Sequence, residues 1–299
     1  MTASSPIVVS PVVLRDRPLP DHGDTSSKKS RGQLLVVGGT AETPGGVYLA
    51  GMAALRAGAG TLQIATVAPA AGGLALLVPE ARVIGLRDDD PAAFDGHAVE
   101  ALPPLLDEAD AVLIGPGTFT PDSTRRLLHR AVEALAGSGA RLIVDAGSLP
   151  VLCETPDLLA PLGDRAVLMP NPAEMAQLLD VAVDTVEDDP EAALRRAVDR
   201  FGCVVTLRTP ETWTAAPGGP SYLDQSGTSG LATSGSGDVL AGIIGGYAAR
   251  GAGALDAVVW ATHVHGTAAM HCATHTGDIG FLARELLDEI GPSHRMLGA

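Results

Sequence analysis

One pattern recurs from Gln33 onward and leaves few folds open: a short apolar, β-branched run ends at glycine, proline or a lone polar residue, and a helix-length segment follows. QLLVVGG (33–39) predicts a buried strand stopped by paired glycines. TAETPGG then leads into VYLAGMAALRAGAG, whose apolar spacing predicts a helix closed by Gly58 and Gly60. TLQIATVAP is the next strand. A strand, helix and strand within about 35 residues make a βαβ unit, whose crossover is almost always right-handed.

The alternation continues through a strand at ARVIGL (81–86), a helix over 97–109 broken near Pro103 and Pro104, the strand and turn DAVLIGPGTF (110–119), and the helix STRRLLHRAVEALAGSG. RLIVDAGSL predicts a strand ending at Asp145. AVLMPNPAEMAQLL predicts a strand, a Pro-bracketed turn at Asn171 and a helix with Glu174 in its first turn. EAALRRAVDRFG and CVVTLRTPET repeat helix and strand, WTAAPGGPSYLDQ predicts a hairpin, and helices at ALDAVVWATHVHGTAAMHCATH and FLARELLDEIG close the chain. The result is an α/β fold with a central, mostly parallel sheet flanked by helices.

Composition agrees with such a core. Hydrophobic residues are 46% of the chain but aromatics only 3%, so Ala, Val, Leu and Ile must fill it, which suits parallel strands covered by helices. Over 299 residues there is no internal repeat and no linker, so residues 31–299 are expected to form one catalytic domain. Residues 1–30, rich in Pro, Asp, Ser and Lys, are expected to form an extended arm.

A formal net charge of −15 argues against nucleic-acid and anionic-membrane partners, yet leaves room for a nucleotide held by backbone amides and a few local cations. Cys153, Cys203 and Cys272 are widely spaced, lack a CxxC pair and fit reduced structural thiols. With no leader-like start and no run of about 18 apolar residues, a cytoplasmic location is expected.

Ligands of open parallel sheets bind at the carboxyl ends of the strands. The loops GGT, GPG, DAG, NPAE and RTPET and the glycine-rich segment SGTSGLATSGSGDVLAGIIGGYAARG (226–251) are therefore expected to meet in one cleft. In that segment, hydroxyl and glycine residues run into a long apolar helix. Its first amides have no intrahelical partner and carry the positive end of the macrodipole, a place suited to phosphate. Asp238 sits at the same spot. A carboxylate there is either an ordinary helix cap or a base that takes a proton from an attacking hydroxyl. The pattern alone leaves both open.

Other motifs narrow the chemistry. Gly38 and Gly39 belong to no GxGxxG fingerprint and no GxxxxGK[ST] exists, which argues against a dinucleotide Rossmann site and a P-loop. Asp145 and Glu174 are candidates to hold Mg²⁺ through water or substrate phosphate, or else are surface carboxylates. His271 and His275 are four residues apart, but no third ligand accompanies them. Lys28, Lys29, Arg31 and Arg208 are the cations nearest the phosphate loops in the sequence.

GTSGLATSGSGDVLAGIIGGYAARG resembles the signature GNxGMATGGTGDVLTGxIAGLLAQG of the ADP- or ATP-dependent NAD(P)H-hydrate dehydratases, in the ribokinase-like superfamily. KKSRGQLLVVGGTAETPGGVYLAGMAALRAGAG, ADAVLIGPG, IVDAGSL, MPNPAEMAQLL, HVHGTAA and GFLARELLDEI have counterparts in the same order, over about residues 28–291. The resemblance implies a ribokinase-like three-layer domain and a lyase that repairs hydrated NADH and NADPH. It would phosphorylate the ring hydroxyl, using ADP or alternatively ATP with Mg²⁺, and eliminate phosphate. By position it implies a substrate site at Gly46, Gly117, Asn171 and Asp238, with Asp238 catalytic. The implied nucleotide site is Arg208, Thr209, Pro210, Glu211, Thr212, Ser236 and Gly237, and Glu174 is the candidate metal contact. It also implies a homotetramer, and Gly242, Gly245 and Gly246 permit close backbone packing either between subunits or within one.

The chain departs from the family pattern at named positions. Gly46 stands for an Ala, Asn171 for the His of HPGE, Gly147 for the second Asp of DAD and Arg208 for a Lys, and GPGTF lacks the second glycine pair of GPGLG. Asn cannot shuttle a proton at neutral pH, and Arg presents a wider donor fork than Lys. A small-molecule kinase of the same superfamily and a nucleotide-binding protein without catalysis are the alternative readings.

Overall fold

Alternation inside each strand builds two cores, because successive strand side chains point to opposite faces. In the strand Gln33–Val37 (β2), Leu34 and Val36 join one buried cluster while Leu35 and Val37 join the other. The computed structural model describes residues 5–23, 27–86, 99–117 and 121–298. The remaining strands are Ile7–Val8 (β1), Thr61–Val67 (β3), Ala81–Leu86 (β4), Ala111–Ile114 (β5), Arg141–Val144 (β6), Ala166–Leu168 (β7), Val204–Arg208 (β8), Thr212–Ala215 (β9) and Ser221–Asp224 (β10). They form one sheet in the order β1-β10-β9-β8-β7-β6-β5-β2-β3-β4. Every pairing is parallel except those of β9, which runs antiparallel to β8 and β10.

Among the described residues the α-helices are Pro11–Arg15 (α1), Gly45–Arg56 (α2), Ala68–Leu77 (α3), Pro103–Glu108 (α4), Pro121–Ala136 (α5), Pro172–Leu179 (α6), Val183–Asp188 (α7), Pro190–Phe201 (α8), Ser236–Ala249 (α9), Ala254–Thr276 (α10) and Ala283–Met296 (α11). Helices α2, α9, α10 and α11 cover one face, burying Ala50, Ile243, Trp260 and Leu286 against Leu34 and Val36. Helices α4, α5, α6 and α8 cover the other with Leu106, Leu128, Met175 and Leu194. This is the expected three-layer arrangement.

The sheet reverses direction at β2. From there the chain runs outward to β3 and β4, then returns to place β5 on the other side of β2 and continues to β8. Loops after β2 and β5 therefore diverge and open a crevice at the carboxyl edge. Gly39 N donates to Pro116 O at 2.7 Å and ties the two loops together.

Three readings are corrected. The stretch expected to be an extended arm is packed where it is described: Ile7 and Val8 pair with Tyr222 and Leu223, and Leu14 is fully buried. Ser10 caps α1, Trp260 Nε1 donates to Arg17 O at 2.6 Å, and Arg17 Nε lies 2.6 Å from Asp256 Oδ1. Its prolines hide these elements from local reading, since they are compatible with a short capped helix only when β10 offers an edge to pair with.

APAAGGLALL forms α3, although its Ala68 and Pro69 are read from sequence as the end of the strand TLQIATVAP and the rest as no element. Pro69 falls in its first turn, where the missing amide is harmless, and the paired glycines read as a turn. The glycines of α9 are used inside the subunit: β-carbons on Gly242 and Gly246 would meet the backbone of Ala50 and Ala54 in α2, and one on Gly245 would meet Leu34.

The strand predicted through Asp145 stops at Val144 and gives way to a 3₁₀ turn, Ala146–Cys153. Residues 97, 98, 118 and 119 of the predicted elements lie outside the described residues.

Candidate active site

Helix α9 begins after Gly235, which has no side chain to cap it, so the amides of Gly237 and Asp238 stay without an intrahelical or cap partner. Asp238 is the third residue of the helix. That corrects the cap reading, because the cap position is Gly235 and no side-chain cap bond is made.

The Asp238 carboxylate looks into a gap kept by two glycines. A β-carbon on Gly46 would lie 3.2 Å from Asp238 Oδ1, 3.3 Å from Oδ2 and 3.2 Å from Gly117 N. Gly117 has φ +74, and a β-carbon there would meet Thr43 O at 2.7 Å. The tertiary fold thus brings Gly46, Gly117 and Asp238 together from three elements. Burial, reinforced by the charge of Asp145 and opposed by Arg208, pushes the Asp238 carboxyl up to about 6. At neutral pH it is ionised, yet basic enough to accept a proton.

Arg208 ends β8 and holds the next layer. Its Nη2 donates to Asp145 Oδ1 at 3.3 Å and lies 3.8 Å from Glu174 Oε2. Asp145 follows β6 and is 2% exposed; its burial raises its pKa while the Arg208 charge lowers it. The backbone of Gly237 runs against the guanidinium, where a β-carbon would collide with Nη1.

Beside these groups lies a cavity of about 770 Å³, the size of a small-molecule site. Of the predicted residues, Asn171, Arg208, Thr209, Pro210, Thr212, Ser236 and Gly237 line it. Glu211 is not among the lining residues. It accepts from Gln225 Nε2 at 2.7 Å through Oε1 and from Thr209 Oγ1 through its backbone oxygen, bracing the rim.

Asn171 and Glu174 form a reciprocal capping box on α6: Asn171 Oδ1 accepts from Glu174 N at 2.9 Å, and Glu174 Oε2 accepts from Asn171 N at 2.8 Å. This leaves the Asn171 side-chain amide N–H groups, rather than its oxygen, to meet a ligand. It also commits one oxygen of the predicted metal contact to the fold. Among the described residues no three acidic, imidazole or thiol groups converge on a metal position. Arg208 occupies the gap between Asp145 and Glu174 that a bridging cation would fill. These residues do not fit a Mg²⁺ coordinated by Glu174.

Four sequence candidates stand elsewhere. His271 Nδ1 pairs with Glu289 Oε2 at 3.2 Å. Arg31 is at the amino end of β3, where Gly60 N donates to its backbone oxygen, and Lys28 and Lys29 are exposed in the same turn. The sequence reading did not single out Gln225 and His265, which line the cavity together with Ser226 and Thr228 of the glycine-rich segment expected there. Of the two only His265 carries a sequence signal, a lone imidazole in the small-residue helix stretch HVHGTAA.

Comparison with known proteins shows the family and the fold. The sequence model described as NAD(P)H-hydrate dehydratase matches residues 34–292. The chain is similar to the ADP-dependent (S)-NAD(P)H-hydrate dehydratase of Xanthomonas campestris, at 42% identity over 97% of this chain and 96% of that one. Among solved structures, a ribokinase-like superfamily protein of Enterococcus faecalis superposes with a TM-score of 0.84 at 22% identity, covering 97% of this chain and 96% of that one. The ADP/ATP-dependent NAD(P)H-hydrate dehydratase of Bacillus subtilis, co-crystallised with ATP/Mg²⁺, superposes with a TM-score of 0.79 at 22% identity, covering 99% and 100%. The fold is ribokinase-like, and the chain belongs to the NAD(P)H-hydrate dehydratase family.

Proposed function

We propose that the protein is an ADP-dependent (S)-NAD(P)H-hydrate dehydratase, a lyase that restores hydrated NADH and NADPH. The observation that carries this reading is the Asp238 carboxylate, with its raised pKa, facing the Gly46–Gly117 gap at the helix end that adjoins the cavity.

The hydrated ring lies against Gly46 and Gly117 with its hydroxyl toward Asp238. Asp238 takes the proton of the ring hydroxyl as its oxygen attacks the terminal phosphoryl group of ADP, and AMP leaves. The amides of Gly237 and Asp238 and the Arg208 guanidinium stabilise the charge on the transferred group. The ring nitrogen lone pair then expels phosphate as the C–O bond breaks, and the neighbouring ring carbon gives up its proton to water or the departing phosphate, its C–H electron pair becoming the restored double bond. Thr209, Pro210 and Thr212 hold the nucleotide, while Glu211 supports their turn from the rim. Asn171 donates to the ligand from the opposite wall.

ADP is the preferred donor over ATP on the strength of the Xanthomonas relative's name. When bound, Mg²⁺ would neutralise nucleotide phosphate charge. Glu174 would meet the ion through water or a nucleotide phosphate, since the capping box engages its Oε2.

The catalytic unit is residues 31–299, onto which the preceding segment docks. A homotetramer is supported by α3, whose Leu76 and Leu77 are exposed beside β4, the last strand of the sheet among the described residues. The proposed location is cytoplasmic; among the described residues no helix is long and apolar enough to cross a membrane.

The test is recovery of dihydronicotinamide absorbance from hydrated NADH or NADPH with ADP or ATP and Mg²⁺. Recovery with ADP is expected; none with either nucleotide would overturn the reaction. Light scattering checks the tetramer, and a monomer would remove it.

A further inference from the structure

His265 lies in the middle of α10, is 6% exposed and borders the cavity. Its Nε2 is 3.2 Å from the hydroxyl oxygen of Ser236, the first residue of α9. Ser236 is itself only 4% exposed and lines the same cavity next to the unpaired amide of Gly237. An imidazole and a hydroxyl, both buried, are thus joined directly behind the place where an anion would sit.

The chemistry of this pair decides which way the hydroxyl points. If Ser236 donated to the ring, its lone pairs would face the nucleotide phosphate and repel it. If Nε2–H donates to Ser236 Oγ, the hydroxyl hydrogen stays available for a phosphate oxygen. Burial and the neighbouring charge of Arg208 hold the imidazole down to about 4, opposed by the Ser236 backbone and then by Asp224, so a neutral ring with a single N–H stands here at neutral pH.

We infer that His265 is a positioning residue for nucleotide binding: as the Nε2–H tautomer it donates to Ser236 Oγ and turns the serine hydroxyl toward the phosphates. This rests on the nucleotide-site reading above. It assigns a task to the HVHG segment and explains a polar pair inside an otherwise apolar helix contact. The ring touches neither the hydrated substrate nor Asp238, so its effect is expected on nucleotide affinity ahead of the chemical step.

Two measurements test it on the full chain. In the wild-type protein, long-range ¹H–¹⁵N spectra of the imidazoles should show the Nε2–H tautomer for His265 from pH 5 to 8, roughly the range above its depressed pKa. An Nδ1–H ring, or titration in that range, overturns the inference without any variant having to fold.

Calorimetric titration with ADP should show His265→Leu weakening binding by about tenfold, the scale of one hydrogen bond feeding a charged acceptor. His265→Gln, whose amide can reach Oγ, should recover most of the loss. In the pair Ser236→Ala and His265→Leu the losses should not multiply, because one route carries both. Equal binding by His265→Leu, failure of Gln to rescue, or fully multiplicative losses would each refute it.

A wild-type chain that binds ADP but restores no dihydronicotinamide sinks the proposed reaction and leaves this inference standing if the titrations hold. A wild-type chain that does not bind ADP sinks both.

Discussion

Arg208 Nη2 and Asp145 Oδ1 are 3.3 Å apart at the carboxyl edge of the sheet, and the two charges of this pair act in opposite directions on Asp238. The Asp145 charge raises the Asp238 pKa and the Arg208 charge lowers it, but burial is the larger influence. The consequences can be measured separately.

Activity should follow the ionised form of Asp238. The profile of kcat/KM is expected to fall as pH drops through about 6, with unit slope, since the carboxyl is pushed up to about 6. Asp238→Asn should lower kcat by about 10²-fold or more while leaving ADP affinity within about threefold. A variant that keeps more than about a tenth of kcat would remove Asp238 as the base.

The same shift makes a stability prediction of opposite sign. A carboxyl whose folded pKa lies above its unfolded value binds its proton more tightly when folded, so its contribution to stability falls as pH rises from 3.8 to about 6. Asp238→Asn should therefore raise the stability measured at pH 7, by about 2 kcal/mol after allowance for partial solvent contact. Urea titrations at pH 7 and pH 4.5 check this, and the gain should shrink at the lower pH.

Asp145→Asn removes the carboxylate that raises the pKa of Asp238 and leaves Arg208 with less compensation. The acidic limb of the rate profile should move to lower pH, by about half a unit to one unit. An unmoved or upward-shifted limb would show that Asp145 does not act on Asp238.

The gap at Gly46 is a space limit on the substrate. Gly46→Val would extend methyl groups from a β-carbon already 3.2 Å from Asp238 Oδ1, against the Asp238 carboxylate. KM for hydrated NADH is expected to rise by about tenfold or more, with ADP binding little changed. Equal loss of both affinities would place the gap in the nucleotide site instead.

Leu14 checks whether the amino-terminal segment belongs to the folded unit. It is fully buried beneath the edge of the sheet, so Leu14→Ala should destabilise the protein by about 3 kcal/mol, seen in urea unfolding, with kcat unchanged. A surface-like effect of less than about 0.5 kcal/mol would return that segment to the status of a loose arm.

Some of this was legible locally. Strand and helix periods from Gln33 to Leu207 carried the parallel sheet because buried parallel strands need continuous apolar runs and their crossovers need helix-length connections. The amino-terminal segment was not legible, since a two-residue strand and a five-residue helix have no period to detect and exist through β10 and Trp260. Helix α3 was obscured by its Pro69 and paired glycines, whose turn-like signal is outweighed by its place against β4. At the site, Glu174 looked like a metal ligand because a carboxylate in a first helical turn serves equally as cap or ligand. Only the fold shows the cap through Asn171, and it takes one of the two carboxylate oxygens.

The sequence by itself determined the alternating fold, the family, and the presence of a carboxylate at a glycine-rich helix start. Those follow from local period, turn chemistry and ordered motifs, which are properties of neighbouring residues. The tertiary structure decided what Asp238 can do, because its raised pKa comes from burial and from the charges of Asp145 and Arg208, brought there by other strands. It also decided that Arg208 takes the gap between two carboxylates and that His265 reaches Ser236 across 29 positions of chain. Charge interactions and hydrogen bonds act through space, and only the folded chain sets those distances.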